Sequence, residues 1–159
     1  MEILIIDATE HNILRAFLYK DNFLEKDFYY EGKDLFSNLD KIFSGEYKFQ
    51  YIGINKGPGS FTRTKVSLAY VKGYCYGLGI PLVAISGFDV LEKDHKNLKI
   101  NAGRGNIYIK KNDEYSIKIG ESLDKIDYNI FLKLVKERII KKEFDNPLKV
   151  LPLYISEIW

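Results

Sequence analysis

The sequence predicts an α/β protein: a mixed sheet with flanking helices, followed by a smaller second α/β lobe. Three observations carry that reading. Three strand-like runs open the chain between Ile3 and Tyr30. Helical and strand-like periods then alternate, which is the signature of helices packed on a sheet. A polar stretch, Glu92 to Asn97, separates this part from a less regular remainder, so the expected lobes are 1–94 and 95–159.

Ile3 to Ile6 (ILII) is a short apolar run rich in β-branched residues, hence a buried strand. Asn12 to Tyr19 alternates apolar and polar positions. Asp21-Asn22 is a turn signal, and Phe23 to Tyr30 extends again, giving three strands joined by tight turns. After Gly32 the period changes: Leu35, Phe36, Leu39, Ile42 and Phe43 recur at helical spacing up to Ser44-Gly45. YIGIN (Tyr51 to Asn55) is a further buried strand. Ser60 to Leu78 has helical period and stops at Gly79 and Pro81. Pro81 to Ser86 reads as a strand and Gly87 to Asp94 as a short helix. The order β-β-β-α-β-α-β-α is that of the ribonuclease-H-like half found in the actin, sugar-kinase and Hsp70 superfamily. In the second lobe, LKINAG and NIYIKK flank a turn at Gly103 to Gly105, and YSIKI is a third strand. Asp127 is placed to cap a helix through Lys142, with Phe131, Leu134, Val135 and Arg138 on one side. NIFLKLV within it also fits a strand. Pro147 ends the pattern, and VLPLYI is extended.

Of the 159 residues, 46% are hydrophobic and 29% charged, as in an ordinary globular protein. A net charge of +2 does not by itself point to nucleic acid. The lone cysteine, Cys75, excludes an intrachain disulfide and fits a reducing compartment. No apolar run reaches bilayer length, and MEILIID lacks a basic n-region, so a cytoplasmic protein without a membrane partner is expected.

The most informative stretch is GPGSFTRTK, Gly57 to Lys65. A Walker A loop needs a Gly-Lys-Ser/Thr that is missing here, and there is no G-x-G-x-x-G. One reading is a tight turn with the Ser60 hydroxyl capping the helix. The other is a nucleotide or phosphate contact at the helix N-terminus, using Gly57, Gly59, Ser60 and Asp7, the strand-end carboxylate this fold class associates with metals and phosphates. The helix that follows is unusual. At 100° per residue, Phe61, Leu68, Val71, Cys75 and Leu78 form a sheet-facing side. The opposite side carries Val66, Ala69, Tyr70, Gly73, Tyr74 and Gly77, where an exposed helix would be polar. Small residues four apart allow close helix approach. Either a partner covers this side, or the chain's own second lobe or first helix does.

Catalytic constellations are scarce. His11 and His95 are far apart, one cysteine supports no zinc set, and no nucleophile–base pair or metal cluster is evident. The basic run Lys133, Lys136, Arg138, Lys141, Lys142 is a solvated helix face, or the best candidate for tRNA contact.

These residues converge on a resemblance. LIIDATE, then GPGSFTRTKVSLAYVKG, then PLVAISGFDVL, NAGRGNIYI and PLYIS resemble, in order, the landmarks of the TsaB (YeaZ) family. Arg63, Lys65, Asn101 and Ser156 depart from the family pattern, and the second lobe is shorter than usual. The resemblance implies a non-catalytic paralogue of TsaD, acting in threonylcarbamoyl transfer to N6 of adenosine 37 of tRNA (t6A). It implies pairing with TsaD, a homodimer when alone, the ATPase TsaE as a further partner, and tRNA reached through the complex. No cofactor is required, with weak ATP or ADP binding at the complex interface as an expectation. The implied interface uses the first two helices, through Leu35, Phe36 and Leu39 together with Val66, Ala69, Tyr70, Gly73, Tyr74 and Gly77. Arg63 is expected to add a cation there. A glycoprotease-like enzyme and a nucleotide-binding regulatory module are the alternatives.

Overall fold

The computed structural model describes residues 1–122 and 124–155. Ser156 lies outside the described residues.

The expected α/β fold is present. β1 (Glu2–Asp7), β2 (Ile13–Lys20), β3 (Phe23–Glu31), β4 (Tyr51–Asn55) and β5 (Leu82–Ile85) form one sheet in the order β3-β2-β1-β4-β5. β1, β4 and β5 run parallel, while β2 and β3 are antiparallel to their neighbours. The Asp21-Asn22 turn is built as expected, with both residues at positive φ. α1 (Leu35–Phe43), α2 (Phe61–Leu78) and α3 (Gly87–Lys93) fill the intervals. β6 (Lys99–Gly103), β7 (Asn106–Lys111) and β8 (Glu114–Ile119) form a separate antiparallel sheet, and α4 (Tyr128–Ile140) is helical, not a strand.

The parallel strands are apolar on both faces, so both need a helical cover. On one face, Leu4, Ile6, Ile52 and Ile54 pack with Leu35, Leu39, Ile42 and Phe43 of α1 and with Leu68, Val71 and Cys75 of α2. On the other, Ile3, Ile5, Val83 and Ile85 pack with Phe131, Leu132, Val135 and Ile139 of α4. The chain beyond residue 94 thus supplies the second cover of the first sheet. Gly53 makes this approach feasible: a Cβ there would lie 2.7 Å from Val135 Cγ2.

After α4 the chain becomes a strap along the sheet edge and α2. Asp145 N donates to Leu82 O (2.8 Å), and Ala84 N donates to Asp145 Oδ2 (2.7 Å), covering the edge of β5. Arg138 Nη1 donates to the same carboxylate oxygen (3.0 Å). Lys72 of α2 donates to Val150 O (2.7 Å), and Leu153 N donates to Lys56 O (2.8 Å) beside the glycine-rich turn.

The caps are specific. Asp34, Ser86 and Asp127 accept from first-turn amides of α1, α3 and α4. Ser60 occupies the N-cap position of α2, but its hydroxyl makes no capping bond. Its amide instead donates to Thr9 O (2.7 Å), because the turn is pulled onto the β1–β2 connection. Leu78, expected against the sheet, is exposed at the last turn of α2.

Gly53→Ala is expected to destabilise the fold by about 1–3 kcal/mol through overpacking against Val135, measured by urea denaturation. An unchanged midpoint would mean that α4 relaxes away without cost.

Candidate functional site

Asp7 and Asn55 end adjacent parallel strands, since Ile6 pairs with Ile54. Their side chains therefore meet at one corner of the sheet, and both are buried. Asp7 Oδ1 accepts from the Thr9 amide (2.9 Å) and the Thr9 hydroxyl (2.7 Å). Oδ2 accepts from Asn55 Nδ2 (3.1 Å) and from the Tyr128 hydroxyl (3.0 Å) of α4. Asn55 Oδ1 in turn accepts from Gly57 N (3.0 Å), tying the corner to the glycine-rich turn. Tyr128 packs tilted against Phe17, with ring centroids 4.6 Å apart, and the Arg15 guanidinium lies 5.5 Å from the Tyr128 ring centre. Burial and the adjacent Asp7 carboxylate push the Tyr128 phenol above its ordinary pKa, so it stays a donor.

Four donors occupy the acceptor positions of the Asp7 carboxylate. The strand-end carboxylate singled out in the sequence is thus engaged on both oxygens by the chain's own Thr9, Asn55 and Tyr128. Among the described residues, no group of three or more His, Cys, Asp or Glu stands ready for a metal ion.

The turn itself is folded inward. Gly57 has φ +106°, a value that favours glycine, and a Cβ there would lie 3.1 Å from Leu153 O. A Cβ on Gly59 would lie 2.5 Å from Thr9 O. Both glycines thus serve close backbone approach. The adjoining cavity, lined by Pro58, Gly59, Phe61, Thr64, Tyr108 and Leu153 to Ile155, is only about 10 Å³, room for one water at most.

α2 shows the opposite condition. Ala69, Gly73 and Gly77 are exposed, and nothing lies within 4 Å of a Cβ built on either glycine. Among the described residues, no element therefore covers this side. Val66, Tyr70 and Tyr74 are half-buried. The two tyrosines join Phe36, Phe43 and Phe49 in an aromatic seam with α1, and the Tyr70 hydroxyl donates to Asp40 Oδ1 (3.1 Å). Phe36 is exposed at the rim.

Several expected surface residues are interior. Leu35 and Leu39 are buried against the sheet, because they lie on the apolar stripe of α1. Arg63 is 7% exposed and turned away from the free side of α2. Its Nη1 donates to Gly32 O (3.2 Å), and burial lowers its pKa. It ties the start of α2 to the β3–α1 junction and offers no cation to a partner. Of the basic run, Arg138 is engaged with Asp145 and with Ala84 O (3.1 Å). Sequence reading missed Asn55, Thr9 and Tyr128. Parallel pairing of ILII with YIGIN would have found Asn55; nothing local marks Tyr128, which lies 121 residues from Asp7.

A family model described as TsaD: tRNA N6-adenosine threonylcarbamoyltransferase matches residues 40–151. The chain belongs to that family. No curated protein matches the sequence significantly. Among solved structures, YeaZ from Pseudomonas aeruginosa superposes with a TM-score of 0.68 at 14% identity, covering 97% of this chain and 99% of that one. A second structure, of an uncharacterized protein with similarity to peptidase YEAZ from Pseudomonas aeruginosa, gives 0.67 at 13% identity over 98% and 99%. The likeness to YeaZ is one of fold, and it bears out the fold that the resemblance implies. No helix among the described residues is long and apolar enough to cross a membrane.

Tyr128→Phe removes one hydrogen bond to a buried carboxylate and is expected to cost about 1.5–3 kcal/mol in urea denaturation at neutral pH. The folded-state pKa of Tyr128 is raised, so the unfolded chain releases its proton first as pH climbs past 10. Stability therefore falls above pH 10, and less steeply in Tyr128→Phe. Equal alkaline slopes would contradict this coupling.

Proposed function

We propose that this chain is a non-catalytic subunit in tRNA threonylcarbamoyladenosine modification, pairing with a TsaD-type paralogue through the outer side of α2. Membership of the TsaD family supports the role in t6A formation. The observation that carries the subunit reading is the uncovered side of α2, where Ala69, Gly73 and Gly77 leave helix backbone open to solvent. Mid-helix glycine costs up to about 1 kcal/mol relative to alanine, and close approach by a second helix offsets that cost. Tyr76 of α2 and Phe36 of α1, 64% and 63% exposed, supply apolar contact area at the rims. The sealed Asp7 corner supports the same reading, because a catalytic carboxylate must be reachable by substrate.

In this reading tRNA is engaged through the complex, and a TsaE-type ATPase joins the pair. No cofactor is needed by this chain, and ATP or ADP is held weakly at the complex interface. Self-pairing through the same side is the alternative state in the absence of the paralogue.

The test is size exclusion with light scattering, alone and mixed with the TsaD-type paralogue of the same genome. A one-to-one complex is expected. Gly73→Leu should abolish it while leaving the circular dichroism native, since a Cβ at this position has open space among the described residues. A complex retained by Gly73→Leu would exclude this side of α2. Nucleotide turnover by the lone protein, lost in Asp7→Ala, would favour the enzyme instead.

A further inference from the structure

Three parts of the fold meet at the small cavity beside the glycine-rich turn. Thr64 lines it from the first turn of α2, Tyr108 from β7 of the second sheet, and Leu153 from the strap. Its volume, about 10 Å³, is at the lower limit for a single water.

The lining holds polar groups whose bonding is incomplete. Thr64 is 2% exposed, and its Oγ1 has no hydrogen-bond partner among the described residues. A threonine inside a helix can return its hydroxyl to the carbonyl four residues back. Here that carbonyl, Ser60 O, accepts the Thr64 amide (2.9 Å) and not the hydroxyl. Leu153 donates its amide to Lys56 O (2.8 Å), but its carbonyl accepts no hydrogen bond among the described residues. Both residues stand beside Gly57: a Cβ there would lie 3.3 Å from Thr64 Cγ2 and 3.1 Å from Leu153 O. Tyr108 is 4% exposed. Its hydroxyl reaches Gly59 O only at 3.4 Å, beyond the usual length of about 2.7–2.8 Å for such a bond. Burial raises the pKa of this phenol, so it remains a donor. A buried hydroxyl left alone is destabilising, and native folds answer it with protein or with ordered water.

We propose that this cavity binds one ordered water, held by Thr64 Oγ1, Leu153 O and the Tyr108 hydroxyl. Two hydroxyls and a carbonyl supply both donors and acceptors, within the two to four partners that an internal water needs. A cation fits less well, because the first turn of α2 is the positive end of its dipole. An anion fits less well, because a carbonyl is among the holding groups and polyatomic anions exceed the volume. The water joins α2, the second sheet and the strap at the point from which α2 leaves the turn. The strap is tied to α2 by Lys72 on Val150 O (2.7 Å) and to the turn by Leu153 N, and the water adds a tie at its far end. This site belongs to the chain alone and does not depend on the pairing proposed above.

The test combines a high-resolution crystal structure of the wild type, water-oxygen magnetic relaxation dispersion to count long-lived internal waters, and urea denaturation of two variants. Thr64→Val keeps the size of the side chain and removes the hydroxyl. Thr64→Ser keeps the hydroxyl. The wild type should show one water within hydrogen-bond distance of Thr64 Oγ1. Thr64→Val should lose one long-lived water, and its urea midpoint should fall by roughly 0.5 M, as for one lost buried hydrogen bond. Thr64→Ser should keep the water. A dry cavity in the wild type, or an ion in place of the water, overturns the proposal. An unchanged or raised midpoint in Thr64→Val overturns it as well, because removing a hydroxyl that pairs with nothing relieves an unsatisfied buried group. If Thr64→Val does not fold, the wild-type structure and its water count still decide.

Discussion

The parallel strands β1, β4 and β5 are apolar on both faces, and the molecule is organised by the need to cover both. α1 and α2 cover one. The other is covered by α4, which the chain reaches only after the three-stranded excursion of β6 to β8. Bringing α4 back places Tyr128 at the corner where β1 and β4 end. It also leaves the remaining chain on the β5 side, from which the strap runs up α2 to the glycine-rich turn. One packing requirement thus closes the strand-end corner and sets one border of the exposed side of α2.

The glycine-rich turn takes its meaning from the same geometry. Its glycines stand where Thr9 and Leu153 press against the backbone, and the Ser60 amide is used on Thr9. A phosphate-binding loop holds its amides outward around an empty cradle. Here the turn serves as a joint between the β1–β2 connection, α2 and the strap. It sets the direction in which α2 leaves the sheet.

Much of this was legible beforehand because its causes are local. Period-two and period-3.6 patterns follow from backbone geometry, so every element was found, and Asp127 was readable as a cap. The side assignment of α2 was largely right for the same reason: Ala69, Gly73 and Gly77 share a face at helical spacing whatever surrounds them. The errors lay where spacing says nothing about reach. Arg63 is long enough to curl to Gly32, and Leu35 and Leu39 belong to the buried stripe of a helix whose outer rim is Phe36. Ser60 has the right residue type for a cap, but its place is set by Thr9 across the turn.

The sequence by itself determined the element order, the mixed character of the sheet, the small-residue side of α2 and the scarcity of catalytic groups. These depend on residue type and short-range periodicity. Only the tertiary structure decided that Asp7 is saturated by Thr9, Asn55 and Tyr128, that the α2 glycines are uncovered, and that the C-terminal strap runs beside them. Those facts join residues as far apart as Asp7 and Tyr128. They follow from which faces the folded chain had to bury, and no local pattern encodes that choice.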